Sequence, residues 1–411
     1  VVVGHGADQV RTAVEASDVT FVEQPEQRGT GHAVQCAGSD FSAADWVLVL
    51  NGDVPLLRGE TLREWAEALA EEERSVGILT AHPADPTGYG RIRRDGQGEV
   101  VGIREEKDAS SEERAIGEVF TGTMAVRGDR LGLWLDRLTD DNAQGELYLT
   151  DVVAMAAAEG GVHAHRIADA GEVQGVNNRR HLAAVEAVWQ ERARNALMDA
   201  GVTLRDPART VIYGEVTPAP DVVVDPGCQF EGEVLLEEGA RIGPQCLLRN
   251  CRIGPGAVVE AHSHIDGTEV GALASVGPYA RLRPDTVLEE GAKVGNFVEV
   301  KKARLGPGVK ANHLSYVGDA VIEAGANLGA GTITCNYDGH AKHATRIGAG
   351  AFIGSAVQLV APVTVGEGAT IGAGSTITKD APAQTLTLSR AKQVTIKDWK
   401  RPEQRSQEEQ D

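Results

Sequence analysis

Arg283 and Lys301 stand eighteen residues apart, each directly after a large apolar residue, Leu282 or Val300. In a chain that repeats every eighteen residues they share one outer wall, about 5 Å apart along the stack. Two cations so placed can clamp a dianionic phosphate; the competing reading is a solvated charged face. His313 comes two places after Ala311, which occupies an inward slot, so its ring projects outward, where imidazole can take a proton near neutrality. Ser355 and Ala373 are again eighteen apart, each two places after Ile353 or Ile371, and their small side chains leave a groove on a shared wall. In the first half, the run Trp46 to Leu50 reads as a strand leading into Asn51, Gly52 and Asp53. That sets a carboxylate beyond a strand's carboxyl end, where open α/β sheets bind ligands and where Mg²⁺ shared with a phosphate needs an acid; an Asp there can equally cap the next helix. Gly29-Thr30-Gly31 brings backbone N–H groups within reach of an anion or a base edge, although most Gly-x-Gly runs are only turns.

The element that must position the second-half residues is a coil with a beat of six. Val224, Phe230, Leu236, Ile242 and Leu248 keep it, as do, after single-residue slips, Val270, Val276, Leu282, Leu288, Val294 and Val300, then Ile347, Ile353, Leu359, Val365, Ile371 and Ile377. A period of six is neither helical nor alternating. It fits a coil whose flat sides each take one hexad, large residue inward and corner at Gly or another small residue, three hexads closing one eighteen-residue turn. Val224 to Ile377, less a break in the beat from Cys335 to Thr345, makes roughly eight stacked turns of a parallel β-helix. The period does not set the hand, and the usual crossover preference is right-handed. The break is expected to be a loop reaching over the wall.

From residue 1 to about 178, short apolar runs alternate with amphipathic segments, as in an open α/β sheet. Val1 to Val3, Val19 to Glu23 and Trp46 to Leu50 read as strands, and Asp8 to Ala16 as helix. Leu182, Val185, Trp189, Ala193, Ala196 and Leu197 recur at helical spacing with Gly201 in a C-cap position, which makes a connecting helix whose Trp packs. The reading divides the chain into an α/β domain at 1–178, a linker helix at 179–205, a β-helix at 206–390 and a tail at 391–411.

The chain has 411 residues, with 60 acids against 40 bases and a formal charge of −20, so nucleic acid and anionic membrane surfaces are not expected partners. Anionic substrates must then be met by local clusters of cations or N–H groups. Five cysteines, odd in number and without a CxxC pair, read as reduced thiols of a cytoplasmic protein. No stretch approaches the ~20 apolar residues of a membrane span, and the first residues lack the zones of a secretion signal. The chain opens on a buried-type strand, Val1 to Val3, that turns at once into a helical stretch, as the middle of an α/β domain does, so an upstream segment is expected to be absent.

Taken in order, Gly29-Thr30-Gly31-His32-Ala33, Asn51-Gly52-Asp53-Val54-Pro55, Pro86-Thr87-Gly88-Tyr89-Gly90-Arg91-Ile92 and Gly175-Val176-Asn177-Asn178-Arg179 join Arg281-Leu282-Arg283-Pro284, Gly295-Asn296-Phe297-Val298-Glu299, Asn312-His313-Leu314-Ser315-Tyr316 and Cys335-Asn336-Tyr337-Asp338-Gly339. Together they resemble the family of bifunctional bacterial enzymes that are both glucosamine-1-phosphate N-acetyltransferase and N-acetylglucosamine-1-phosphate uridylyltransferase, from the first residues to about Pro402. The resemblance implies a Rossmann-like nucleotidyltransferase domain and a left-handed parallel β-helix of hexapeptide repeats. It also implies a homotrimer with an acetyl-transfer site between subunits, small-molecule substrates, acetyl-CoA and UTP as co-substrates, and Mg²⁺. By the family pattern His313 is the general base, Arg283 and Lys301 hold the sugar phosphate, and Tyr316, Asn327, Asn336 and Tyr337 shape the sugar site, the last two also meeting acetyl-CoA. Ala330, Ser355, Ala373 and Arg390 match acetyl-CoA contacts. In the first half Gln24, Gly29 and Thr30 match uracil contacts, Asn51 and Gly52 lie on the nucleotide side, Gly90, Glu105 and Phe120 match the sugar site, and Asp53 and Asn177 match the Mg²⁺ ligands.

Asn51 stands where relatives often carry an aromatic residue, and Phe120 where they carry Asn, which removes a hydrogen bond worth about 1 kcal/mol. With the Gly-rich loop of such families not found, uridylyl transfer is expected to be impaired while acetyl transfer is retained. Two rival readings remain from the residues alone. One is a trimeric β-helix metalloenzyme of the carbonic-anhydrase kind, using His262, His264, His313, His340 and His343. The other is a catalytically dead trimeric scaffold.

Overall fold

A computed structural model describes residues 1–14, 18–38, 41–399 and 401. The chain forms two compact units, Val1–Trp189 and Gln190–Asp411. Part of the expected first helix, Glu15 and Ala16, and most of the tail lie outside the described residues.

In the first unit the strand Val119–Arg127 organises a mixed sheet. It pairs antiparallel with Val76–Ala81, Trp46–Val49 and Arg91–Arg94; Val100–Arg104 continues the sheet beyond Arg91–Arg94, and Val162–Arg166 lies parallel to Val76–Ala81. The strand expected at Val19 to Glu23 is shortened to Val22–Glu23 and pairs with Val2–Val3 in a separate two-stranded sheet. All of Val76–Ala81 is buried, as a run of Val, Ile, Leu and small residues without polar alternation requires. Helix Gly59–Ala70 lays Leu62, Trp65 and Leu69 on this strand at helical spacing. Its close seat needs Gly77, where a Cβ would lie 2.7 Å from Leu69 Cδ2.

The helix Arg179–Asp199 carries the boundary between the units and ends in a left-handed turn at Gly201, with Gly201 N donating to Met198 O and Val202 N to Leu197 O. Val185, Gln190 and Leu197 are its covered positions; Trp189, read as packing, stays 37% exposed. Buried Gln190 gives its Nε2 to Ile212 O and takes Ile212 N, which caps the open edge of the first coil.

From there the chain winds as a parallel β-helix. One ladder runs Leu204, Val224, Ile242, Val259, Val276, Val294, Ala311, Leu328, Ile353, Ile371 and Thr387, so eleven strands frame ten turns. Every residue of the six-residue beat named above is buried in one continuous core. Two expectations need correction. Strand Thr203–Leu204, inside the expected linker, is already the first rung. The turn is also not uniformly eighteen: Ile242 to Val259, Val259 to Val276 and Val294 to Ala311 are seventeen apart, because a shorter corner still lets the inward residues stack.

The corners are not confined to the expected Gly and small residues. One edge does use left-handed glycines, among them Gly256, Gly291, Gly308 and Gly325. Another carries His262, Tyr279, Phe297 and Leu314 at φ 50 to 59. There the rings stack, His262 on Tyr279 at 4.8 Å and Tyr279 on Phe297 at 5.4 Å, which offsets the strain.

Candidate functional site

One line of residues follows the aromatic corner along five successive turns. Leu314 N donates to Asn296 O (3.0 Å), Gly331 N to His313 O (3.3 Å), Ala356 N to Ala330 O (2.7 Å) and Gly374 N to Ser355 O (2.8 Å), so Asn296, His313, Ala330, Ser355 and Ala373 form a single file. Arg390 Nη1 donates to Ala373 O at 3.1 Å and closes the file with a guanidinium. Three rungs of ~4.8 Å separate His313 from Ala373, about 14 Å of shallow groove. His313 is exposed, and its Nδ1 lies 2.7 Å from Asn296 Oδ1. The amide oxygen accepts the Nδ1 proton and leaves the Nε2 lone pair facing outward. Asn327 lies on this same wall, three residues before Ala330.

Beyond the corner, the next wall carries a ladder of charges in adjacent turns: Glu231, Arg249, Asp266, Arg283 and Lys301. Signs alternate as far as Arg283, with Glu231 paired to Arg249 and Asp266 at 3.8 Å from Arg249. The alternation fails where Lys301 follows Arg283. Lys342, from the loop between strands Ile333–Cys335 and Thr345–Ile347, contacts Lys301, and that contact, with the charge of Lys342 and then of Arg283, lowers the Lys301 pKa. Two carboxylates stand among these three cations, Glu299 at 2.9 Å from Arg283 and Asp319, whose charge acts on Lys301; the positive charge that remains is what a bound dianion would relieve. Tyr316 and Asn336 meet on this wall: Asn336 Nδ2 reaches Tyr316 Oη at 3.4 Å and Asp319 Oδ2 at 2.5 Å. Tyr337 is 60% exposed and bonds only within its loop, to Gly339 O at 2.7 Å.

In the first unit a cleft of about 510 Å³ gathers Thr30, Asn51, Asp53, Gly90, Glu105, Phe120 and Asn177. Gln24, Gly29 and Gly52 do not line it. Gln24 Nε2 instead donates to Gly29 O at 3.1 Å and touches His32 Nδ1 at 3.2 Å, and Gly29 at φ 107 has no room for a Cβ beside Leu147 O. These bonds hold the turn that presents Thr30, whose Oγ1 accepts from Leu149 N. Val176 N donates to Asp53 O at 2.9 Å, so the loops carrying Asp53 and Asn177 are tied together. Burial raises the Glu105 pKa, against a lowering hydrogen bond from Thr150 Oγ1 at 2.9 Å, with Asp108, Asp151 and Glu146 adding to the rise. Asn51 packs its amide on Gly122, which stands at φ 84, and Phe120 is 8% exposed in the adjoining core. The two departures thus both line the cleft.

Of the five histidines of the metalloenzyme reading, His262 stacks on Tyr279, His313 meets Asn296, and His340 and His343 share the Asp338 hairpin. Among the described residues of the chain no three His, Cys, Asp or Glu side chains gather around one point as metal ligands would. All five thiols are free.

Two residues escaped the sequence reading. Asn296 lies seventeen before His313, so counting in eighteens lands on Gly295. Lys342 lies in the loop that leaves the period, where no count reaches.

Residues 1–118 match the MobA-like NTP transferase domain, residues 212–312 the GMPPB C-terminal domain, and residues 344–379 six repeats of the bacterial transferase hexapeptide. The second unit is accordingly a left-handed parallel β-helix of hexapeptide repeats. The bifunctional protein GlmU of Alkalilimnicola ehrlichii is 54% identical over 406 residues, 98% of this chain and 87% of that protein. That of Stutzerimonas stutzeri is 54% identical over 98% of this chain and 88% of its own length, and that of Methylococcus capsulatus 53% identical over 99% and 88%. With both units matched and identity above half along nearly all of its length, the chain belongs to the GlmU family of bifunctional proteins.

Proposed function

We propose that the second unit transfers the acetyl group of acetyl-CoA to the amine of glucosamine-1-phosphate, and that the first unit then transfers uridylyl from UTP to the product, giving UDP-N-acetylglucosamine and pyrophosphate. The observation that carries the first step is the file from Asn296 to Ala373 lying beside a cationic wall. A thioester is attacked only by a neutral amine. His313 Nε2 accepts the amine proton as the new N–C bond forms, the C–S bond breaks, and CoA leaves as thiolate to be protonated. Asn296, on Nδ1, fixes the tautomer that makes Nε2 the base. Arg283, Lys301 and Lys342 hold the 1-phosphate, with Tyr316, Asn327, Asn336 and Tyr337 around the sugar. Ala330, Ser355 and Ala373 leave space for the pantetheine arm, and Arg390 meets an anionic part of the cofactor.

The phosphate wall and the histidine file lie on opposite sides of one exposed corner. A second copy packed there would close both, which supports a homotrimer whose sites lie between subunits. In the first unit, the carboxylate of Asp53 and the amide oxygen of Asn177 are hard donors on tied loops, a set that fits Mg²⁺ retaining waters and phosphate oxygens. Mg²⁺ would neutralise charge on the triphosphate. Thr30 with the turn held by Gln24 and Gly29 positions the base, Asn51 and Gly52 adjoin the nucleotide, and Gly90, Glu105 and Phe120 face the sugar. The co-substrates and free thiols suit a cytoplasmic location, and among the described residues no helix is long and apolar enough to cross a membrane.

Thiol release from acetyl-CoA with glucosamine-1-phosphate tests the reading. His313→Ala should lower kcat by roughly 10²–10⁴-fold. Arg283→Ala and Lys301→Ala should each raise KM for the sugar phosphate about tenfold. Full activity in His313→Ala would refute the assignment.

A further inference from the structure

The loop from Asn336 to His343 is a small hairpin built around one carboxylate. Tyr337 and Lys342 face each other in an antiparallel bridge, and Asp338 N donates to Ala341 O at 3.2 Å. Asp338 Oδ1 accepts from His340 N at 2.8 Å and Ala341 N at 2.7 Å, while Oδ2 meets His343 Nε2 at 2.7 Å. His343 N in turn donates to Asn336 O at 2.8 Å. Asn336 is held from below by Asp319, so the base of the hairpin is anchored to the β-helix wall and its turn to Asp338. The residue between Ala341 and His343, both bound to Asp338, is Lys342, the one that reaches Lys301. Lys342 is exposed, with no core to fix its backbone.

We infer that Asp338 is a positioning residue for acetyl transfer: by pinning the Ala341 backbone on one side of Lys342 and the His343 ring on the other, it sets that ammonium as the third cation of the phosphate clamp. This rests on the clamp reading above and adds the residue that assembles it. Asp338 touches no substrate and acts through Lys342. The backbone donors and His343 hold the Asp338 carboxyl below the usual carboxylate range.

The experiment uses the full chain and varies glucosamine-1-phosphate at saturating acetyl-CoA, comparing Lys342→Ala, Asp338→Ala, Asp338→Asn and the Lys342→Ala/Asp338→Ala double variant. Lys342→Ala should raise KM for the sugar phosphate about tenfold with kcat within about twofold. Asp338→Ala should do the same, and the double variant should be no worse than either single one, since the second change removes support for a group already gone. Asp338→Asn keeps an acceptor for the two N–H groups and should fall between wild type and Asp338→Ala. KM for acetyl-CoA and Tm should not move. The inference is overturned if Asp338→Ala leaves the sugar-phosphate KM unchanged, if the two effects multiply, or if kcat falls instead of KM rising. An unchanged KM in Lys342→Ala also overturns it, yet leaves Arg283 and Lys301 as a two-cation clamp judged by their own variants.

Discussion

At the level of single residues, chemistry here depends on who the neighbour is. His313 is an ordinary exposed histidine until Asn296 Oδ1 accepts a hydrogen bond from its Nδ1–H, and Lys301 is one of many surface lysines until Arg283 and Lys342 crowd it. In the first unit Phe120 lines the cleft at the position where the family resemblance implies a polar sugar contact, and its ring offers no hydrogen bond there. Phe120→Asn should therefore lower KM for N-acetylglucosamine-1-phosphate several-fold in a pyrophosphate-release assay, about 1 kcal/mol of binding; an unchanged or higher KM would show that the sugar is held elsewhere. Glu172, 1% exposed, shows the same dependence in structural form. Burial pushes its pKa up, but hydrogen bonds from Arg58 and Thr61 outweigh burial and leave it lowered. A depressed folded pKa means stabilisation present above the unfolded value of about 4.3 and lost as pH falls through the folded one. Glu172→Gln should thus melt several degrees lower than wild type at pH 7, with the gap narrowing below about pH 4. A gap that widens on acidification would contradict the pairing.

At the level of elements, the β-helix acts as a ruler only while each turn keeps its length. Arg283 over Lys301 and Ser355 over Ala373 could be read from sequence because Leu282 pairs with Val300 and Ile353 with Ile371, both eighteen apart. Asn296 could not, because its turn is one residue shorter. The residue is lost at the corner between Val300 and Leu305, where the inward residues stand five apart instead of six as from Leu282 to Leu288. The neighbouring corner keeps its length and holds Tyr279 and Phe297 in left-handed conformation, at roughly 1–2 kcal/mol each, against ring contacts of about 0.5–1.5 kcal/mol. Such a corner survives because the turns above and below it stack. Gly295 shows how tight that stacking is: a Cβ there would lie 2.0 Å from Asn312 O. Gly295→Ala should destabilise the second unit by about 1–3 kcal/mol and displace Asn296 from His313. In a solenoid the damage is local, so hydrogen exchange should accelerate around Val294 and Ala311 while the first turns keep their protection. Uniform loss of protection would argue against independent turns.

At the level of the whole molecule, the chain has two units with separate cores, and the proposed function gives each its own chemistry and assigns Mg²⁺ to the first alone. A chelator should stop pyrophosphate release from UTP and leave thiol release from acetyl-CoA within about twofold, because the donors Asp53 and Asn177 belong to the first unit. Parallel loss of both activities would mean that Mg²⁺ serves the whole protein. The amino-acid order alone determined the β-helix, since a six-residue beat of large apolar residues has few other ways to bury itself, and it also determined which walls hold Arg283, Lys301, Ser355 and Ala373. It placed Asp53 beyond a strand, because a short apolar run meeting Asn-Gly-Asp is a local signal. Tertiary structure alone decided the antiparallel pairing of Trp46–Val49 with Val119–Arg127, the partnership of Asn296 with His313, and the delivery of Lys342 to Lys301. Strand pairing, a seventeen-residue turn and a loop outside the period are each set by contacts between residues distant in the chain, and no local pattern records them.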